Sequence, residues 1–393
     1  MRVTHVITRL VVGGAQQNTL ATIAGLRQKP GLEADLISGP TTGPEGLLED
    51  EARRVAGRLE IVPELVRPVS PLKDFAALRK LERLLRGLRP DIVHTHSGKA
   101  GILGRLAAKR AGVPVIIHHI HGPSFGDFQS APANWIFTAA ERYAGRVTDH
   151  FFCSAQAMSR RYLAAGIGNP SRYTRIFSGF DLDPFLNAAA DPALRARLGL
   201  GAGDFVIGSI GRLFRLKGHA DLIHAFATVL PRLPRARLLL VGDGVLRPEL
   251  EALIASLGVT GKVVFAGLVP PEEVSRYVGV MDCLAHLSYR EALSRALPQA
   301  LAAGRPVVAY DFDGADEVCV ENETGFLVRT ADIAGVAEKL LALAADPEMR
   351  RRMGGTGRAF VRQNFSIEKM VNDQYEVYLR FLPRRVGWVA GSE

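Results

Sequence analysis

The sequence has few cysteines, and no apolar stretch in it is long enough to span a membrane. Cys153, Cys283 and Cys319 are far apart and odd in number, which argues against a disulfide framework and against a thiolate metal cage. No run reaches the roughly 18 apolar residues that a membrane span needs. Polar residues interrupt the apolar run in residues 1–14, which suits a first strand better than a signal peptide. These absences predict a globular protein of the reducing cytoplasm.

The chain also lacks the interleaving of aromatic and basic residues that is typical of nucleic-acid binding, so we expect no nucleic-acid partner. Its net charge of +9 is unevenly spread. Residues 1–185 carry 24 Lys and Arg against 16 Asp and Glu, whereas residues 186–393 carry 25 against 24. The excess in the first half suits either an anionic membrane or lipid phosphate, or an ordinary solvated surface. Both alternatives stay open, and peripheral membrane contact is one of them.

One segment bears directly on that choice. Residues 71–89 have leucines and a phenylalanine at helical spacing, with lysines and arginines between them. A basic amphipathic helix can lie on a membrane, but one that precedes a buried strand more often covers its own sheet. The sequence favours the helix as a cover for the sheet.

Apolar strand-like runs alternate with helix-like runs along the whole chain, and 393 residues are too many for one ordinary core. The predicted strands are residues 3–8, 34–38, 58–62, 91–96, 114–120, 149–154, 204–211, 236–242, 263–267, 283–287 and 306–310. The predicted helices of the first half are residues 16–27, 46–56, 71–86, 101–111 and 131–145. This alternation predicts α/β architecture, with two doubly wound, Rossmann-like domains that face a cleft.

The domain limits follow from composition. Residues 175–191 are rich in Gly, Pro, Asp and aromatic residues expected to be exposed, and we place the hinge there. The domains are therefore predicted at residues 1–180 and 181–365. A Ser N-cap and an early Glu predict an amphipathic helix from Ser366, within a third segment of residues 366–393.

The segment from Tyr289 to Val308 carries the most informative polar residues. Glu291 and Gln299 are eight residues apart, so a helix starting at Glu291 would place both on nearly one face. Gly304 is expected to end this helix before an apolar strand. A buried polar pair is costly unless it is satisfied, and a polyhydroxyl ligand could satisfy it.

Two further loops follow predicted strands. Arg212 and Lys217 could bind a diphosphate, since Arg offers a planar fork and Lys a point charge, or they could be a basic loop in water. Gly13 and Gly14 open a helix and would let backbone amides approach an anion, but a tight turn alone explains them equally well.

Five histidines fall between residues 94 and 121. No cysteine accompanies them, and we expect no metal site. His121 lies just past a strand end and is best placed to reach a ligand, either as a general base or as a hydrogen-bond donor.

Together these features resemble the family 4 retaining glycosyltransferases of the GT-B architecture, over nearly the whole chain. The matching motifs, in the family's order, are GGAQ (13–16), HHIHG (118–122), GRLFRLKG (211–218), LLLVGDGVLRPEL (238–250), VVFAGLV (263–269), EALSRALPQALAAGRPVV (291–308) and DGADEV (313–318). The resemblance implies a hexosyltransferase-type enzyme that moves a sugar from a nucleotide diphosphate sugar to a glycan, lipid-linked or small-molecule acceptor, with retention, in polysaccharide or glycolipid assembly.

The resemblance also implies roles for single positions. Arg212 and Lys217 match the diphosphate-binding pair, Glu291 the glutamate that contacts the transferred sugar, and His121 a histidine of the catalytic centre. The remaining matches are to positions that bind the donor. In the family, the loop that matches Gly13 and Gly14 closes over the donor, and the position of Leu268 lies near the base. The backbone amides that match Ala292, Leu293 and Ser294 lie at a helix N-terminus and hold phosphate. The family implies no cofactor and no metal requirement. It also implies that residues 1–180 form the acceptor-side domain, that residues 181–365 bind the nucleotide sugar, and that the C-terminal helix of residues 366–393 returns to the N-terminal domain.

Gln299 departs from the family, which has a second glutamate there that grips the ribose. Gln can still bond a diol but loses the charge-assisted strength, a loss of about 1 kcal/mol. This departure motivates an alternative, a catalytically weak nucleotide-sugar-binding or scaffold protein. A GT-B fold epimerase is a further alternative.

Overall fold

The structure is a computed structural model that describes residues 1–41, 46–96 and 98–381. Over these residues the chain divides into two units. One is Met1–Phe180 with the C-terminal segment from Ile367, and the other is Asp181–Ser366. Residues 382–393 of the predicted third segment lie outside the described residues.

The elements alternate as the sequence predicts. The strands are β1 (Arg2–Ile7), β2 (Glu33–Ser38), β3 (Leu59–Ile61), β4 (Ile92–His96), β5 (Val115–Ile120), β6 (His150–Cys153), β7 (Tyr173–Arg175), β8 (Phe205–Ile210), β9 (Ala236–Val241), β10 (Val263–Gly267), β11 (Cys283–His286), β12 (Val307–Tyr310) and β13 (Gly325–Val328). The helices are α1 (Gly14–Leu26), α2 (Glu49–Val55), α3 (Pro71–Leu88), α4 (Gly98–Ala111), α5 (Ala131–Gly145), α6 (Gln156–Ala164), α7 (Asp183–Leu186), α8 (Pro192–Arg197), α9 (His219–Val229), α10 (Arg247–Ser256), α11 (Val274–Gly279), α12 (Ala296–Ala302), α13 (Ile333–Ala345), α14 (Pro347–Asn364) and α15 (Ile367–Phe381).

Each unit is built on one parallel sheet. The first sheet has the order β3-β2-β1-β4-β5-β6-β7, and the second has the order β10-β9-β8-β11-β12-β13. The strand order changes direction between β1 and β4 in the first sheet and between β8 and β11 in the second. Open α/β sheets bind ligands outside the carboxyl ends of the strands at such a point. The predicted pair of doubly wound, Rossmann-like domains is confirmed.

The first sheet is buried on both faces because its strands alternate between two cores. Val6 and Ile37 pack with α3 and α4, whereas Ile7 and Leu36 pack with α1 and α15. A strand covered on both sides needs apolar residues at consecutive positions, which is why these strands read as continuous apolar runs.

Helix α15 belongs to the first unit and packs on α1. Gln374 Nε2 donates to Thr22 Oγ1 at 3.2 Å, and Val371 covers Gly25 so closely that a Cβ there would lie 2.5 Å from a valine methyl. The Tyr378 hydroxyl reaches the sheet itself, 2.6 Å from His94 Nδ1.

Helix α3 covers the sheet, as the sequence favours. Its residues Leu81, Leu85 and Leu88 are buried against the core shared with α4. The first turn differs, because Leu72 and Phe75 are exposed by 87% and 64%. Among the described helices, none combines the length and apolar composition needed to cross a bilayer.

The structure differs from the sequence predictions at short elements and in the hinge. The strands β7 and β13, of three and four residues, were not predicted. The hinge aromatics Phe177, Phe180 and Phe185 are buried rather than exposed, so the segment contributes to packing as well as to connection.

Candidate active site

The loop that follows β8 is fixed by a glycine. Gly218 adopts φ 68°, and a Cβ there would lie 2.0 Å from the carbonyl oxygen of Leu287, just after β11. Only a residue without a side chain allows this approach. The loop therefore packs against the carboxyl end of β11, at the point where the strand order of this sheet changes direction.

Lys217 and Glu291 meet at this point. The Lys217 ammonium forms an ion pair with Glu291 Oε1, and both side chains are partly exposed, by 22% and 30%. Neighbouring bonds tie the same two loops together. The backbone N–H of Tyr289 donates to the Leu216 carbonyl oxygen at 3.0 Å, and the hydroxyl of Ser288 lies 3.0 Å from the same oxygen.

Glu291 does not open a helix, and the prediction that it shares a helix face with Gln299 is wrong. Helix α12 begins only at Ala296. The backbone N–H of Glu291 instead donates to Asp313 Oδ2 at 3.0 Å. This tertiary bond, with those to the loop after β8, holds the segment in an irregular conformation that overrides its helical pattern.

Two consequences follow for the residues predicted to bind the donor. Ala292, Leu293 and Ser294 precede α12, so their amides belong to the irregular segment and not to a helix N-terminus. Gln299 lies within α12 and is absent from the lining of the small pocket that Glu291, Leu293 and Ser294 share with His286, Ser288 and Leu297. Helix α12 ends before Gly304, as predicted, and Gly304 adopts φ 69°.

Positive charge is concentrated around Lys217. Burial lowers the pKa of this lysine to about 8, and the guanidinium groups of Arg212 and Arg290 act in the same direction. Sequence reasoning missed Arg290. Its signal was its place next to Glu291 in the sequence, which puts the two side chains in the same loop.

The other predicted residues of the second unit are accessible. Arg212 is exposed, with its guanidinium 5.2 Å from the centre of the Phe214 ring. Leu268 directly follows β10 and is 77% exposed. An exposed leucine at a strand end can pack against the flat face of a base.

The first unit carries the remaining predicted residues. Gly13 and Gly14 follow β1, and α1 begins at Gly14 with no side-chain cap and no acidic residue in its first turn. This helix start leaves backbone amides for an anion. Gly13 is extended, at φ 177°, so its small size matters here rather than a left-handed conformation.

His121 follows β5 and is stacked on His119, with ring centres 4.0 Å apart. Burial lowers the pKa of His121 to about 3, so the ring is neutral at physiological pH. Two sets of three histidines each have ring nitrogens within 4.8 Å of one another. The first set is His5, His94 and His96, and the second is His96, His119 and His121. By distance, the three imidazoles of either set could hold a metal ion.

Comparison with known proteins identifies the family. The model described as "Glycosyl transferase 4-like domain" matches residues 13–178, and the model "Glycosyl transferases group 1" matches residues 191–360. A D-inositol 3-phosphate glycosyltransferase of Streptomyces scabiei is 31% identical over 313 residues, 74% of this chain and 69% of that protein. The chain belongs to the family 4 glycosyltransferases.

This glycosyltransferase is also similar to the UDP-Gal:alpha-D-GlcNAc-diphosphoundecaprenol alpha-1,3-galactosyltransferase of Escherichia coli. The two are 27% identical over 387 residues, 96% of this chain and 97% of that protein. Among solved structures, Anabaena HepE in complex with UDP matches with a TM-score of 0.81 and 22% identity, over 97% of this chain and all of that one. The likeness to HepE concerns the fold, and the predicted GT-B fold and enzyme class are confirmed.

Proposed function

We propose that this glycosyltransferase transfers a sugar from a nucleotide diphosphate sugar with retention at the anomeric carbon. The observation that carries the proposal is the Lys217–Glu291 ion pair at the carboxyl ends of β8 and β11, with Arg212 and Arg290 close enough to act on the lysine charge. Three cations beside one carboxylate suit a ligand with a diphosphate at one end and sugar hydroxyls at the other.

The site can serve both ends of such a donor at once. An ammonium group has three N–H donors, so Lys217 can keep its bond to Glu291 and still donate to a phosphate oxygen. Glu291 Oε2 then accepts from a hydroxyl of the transferred sugar. Leu268 packs on the base, while Gln299, outside the pocket lined by Glu291, is left for the ribose.

The reaction we propose is a front-face displacement. The acceptor hydroxyl attacks the anomeric carbon on the side from which the diphosphate leaves, a C–O bond forms as the bond to the diphosphate breaks, and a phosphate oxygen takes the hydroxyl proton. Charge builds up on the departing diphosphate, where Lys217, Arg212 and Arg290 stabilise it. We propose that the reaction needs no divalent cation, because these side chains supply that charge.

For the acceptor we propose a glycan or lipid-linked saccharide. The support is the similarity, over nearly the full length of both proteins, to an E. coli enzyme whose name specifies a diphosphoundecaprenol-linked GlcNAc acceptor. The exposed residues Val69, Leu72 and Phe75 lie among exposed cations at the start of α3, which suits contact with an anionic bilayer. Sedimentation with vesicles containing anionic lipid, lost on Leu72→Ser with Phe75→Ser, would support this contact.

A thermal-shift screen of nucleotide sugars tests the donor. A ligand at a hundred times its Kd stabilises the protein by about 2.7 kcal/mol. We expect one nucleotide sugar to raise Tm clearly in the wild type and much less in Lys217→Met. No shift with any nucleotide sugar, or equal shifts in both proteins, would contradict the proposal.

A further inference from the structure

The family resemblance assigns a role to His121, one histidine of a cluster of five, and the other four are buried with no assigned role. His5, His94, His96 and His119 are buried in the first unit, on β1, β4 and β5. Their ring nitrogens are not arranged at random. His5 Nδ1 lies 2.9 Å from His96 Nε2, and His96 Nδ1 lies 3.0 Å from His121 Nε2. Three imidazoles therefore form one hydrogen-bonded row that runs from the core to the carboxyl edge of the sheet.

Every ring in this row is neutral. Burial lowers the pKa of His5 and of His121 to about 3, and it lowers the pKa of His96 well below the usual value. A neutral imidazole has one N–H donor and one acceptor nitrogen. Each bond in the row needs one of each, so the tautomer of one ring dictates the tautomer of the next.

The buried end sets the direction. His5 Nε2 is buried and has no hydrogen-bond partner among the residues that the structure describes. With the proton on Nε2, His5 would bury an unpaired N–H, whereas with the proton on Nδ1 it leaves only an unused lone pair. Unpaired buried donors are rarer than under-used acceptors. His5 therefore carries its proton on Nδ1 and donates to His96 Nε2.

The rest follows along the row. His96 accepts at Nε2, so its proton is on Nδ1, from which it donates to Nε2 of His121. Because His121 accepts at Nε2, its own proton is on Nδ1, the nitrogen that is left for a ligand.

We propose that His5 and His96 are positioning residues that fix His121 in the Nδ1–H tautomer, so that His121 presents a hydrogen-bond donor and no base to the substrate. The atom it recognises is then an acceptor oxygen, from a sugar hydroxyl or a phosphate. The sequence left open whether His121 acts as a base or as a donor, and the row of bonds decides for the donor. The proposal rests on the proposed function for its catalytic consequence, but the tautomer itself does not.

Other groups near the row do not disturb this order. His94 directs Nδ1 to the Tyr378 hydroxyl, and His119 places Nε2 3.5 Å from Ser154 Oγ. Both nitrogens of His96 take part in the row, so a metal ion bound to His96 would replace one of its two hydrogen bonds. Metal binding at His96 and the intact row therefore exclude each other.

Nitrogen NMR of ¹⁵N-histidine-labelled protein, without substrate, tests the tautomer directly. Signals are assigned by their loss in His5→Phe, His96→Phe and His121→Phe. We expect a protonated Nδ1 and an unprotonated Nε2 on all three rings at pH 7.5. A protonated Nε2 on His121, or nitrogen shifts that change on treatment with EDTA and return with Zn²⁺, would overturn the proposal.

Activity tests the consequence, with a matched control from the same cluster. His5→Phe removes the buried end of the row and frees His121 to take the wrong tautomer, so we expect kcat to fall about tenfold with little change in donor KM. His94→Phe removes an equally buried imidazole on β4 that is outside the row, and kcat should stay within about twofold. His5→Asn, which can still donate to His96, should recover part of kcat.

The outcomes separate the two proposals. Equal losses of kcat in His5→Phe and His94→Phe would mean that the cluster is merely structural and would overturn the positioning role. If the enzyme shows no activity with any nucleotide sugar, the proposed function fails, yet the NMR result still decides the tautomer.

Discussion

Lys217 and Glu291 form an ion pair although 74 positions separate them in the sequence. The contact arises because β8 and β11 are adjacent at the point where the strand order of their sheet changes direction, and each residue lies in the loop after its strand. This cation and this carboxylate are the groups that we propose bind the donor diphosphate and its sugar. The first prediction concerns the cation.

Lys217→Ala should reduce turnover by about a hundredfold or more, because it removes a charge that stabilises the departing diphosphate. The matched control is Arg215→Ala. Arg215 is a cation two positions away, with a side chain that is 83% exposed and lies 3.9 Å from Glu249. Initial rates at saturating donor measure both. A Lys217 variant that loses no more activity than the Arg215 variant would remove Lys217 from the mechanism.

The two polar residues of the 289–308 segment should respond differently to substitution. Glu291→Gln should mainly lower kcat, because the amide lacks the charge that favours a bond formed with the sugar in the transition state. Gln299→Glu should mainly tighten donor binding. Separate kcat and donor KM values distinguish the two effects. If both changes alter only KM, the division between sugar and ribose is wrong.

Donor binding should weaken in mildly alkaline solution, because burial lowers the pKa of Lys217 to about 8. The charged lysine binds the diphosphate and a bound diphosphate in turn favours the charge, so binding is complete below this pKa and declines as pH rises through it. Donor KM should be flat below about pH 7 and rise up to tenfold per pH unit above about pH 8. A KM that stays flat up to pH 10 would contradict the assignment.

The close approach at Gly218 predicts a strong effect on stability. Gly218→Ala adds a Cβ 2.0 Å from the Leu287 carbonyl oxygen at a positive φ, whereas Gly199→Ala adds one at φ 66° into open space. In the control, the free energy of unfolding should therefore fall only by the cost of placing alanine at a positive φ, about 1 kcal/mol. In Gly218→Ala, the free energy of unfolding should fall by about 3 kcal/mol. Thermal unfolding should show a fall in Tm about three times larger for Gly218→Ala. Equal falls would mean that the two loops are not packed together.

The sequence predicted the fold well because buried parallel strands need consecutive apolar residues, and runs such as residues 236–242 show this directly. It failed at Glu291. The segment after β11 has helical spacing, and only contacts with Asp313 and with the loop after β8 keep it irregular. Such contacts join residues distant in sequence, so no local pattern reveals them. Arg290 was missed for the same reason, because its proximity to Lys217 depends on two strands being adjacent. The row of histidines could not be predicted either, because its bonds connect β1, β4 and the end of β5.

The anomeric configuration of the first product tests the central proposal most directly. The enzyme is supplied with an α-linked nucleotide sugar and no acceptor, and proton NMR follows the anomeric signal of the released sugar before mutarotation. Front-face displacement by water predicts that the α-anomer appears first. Initial release of the β-anomer would show inversion and would contradict the proposed retaining mechanism.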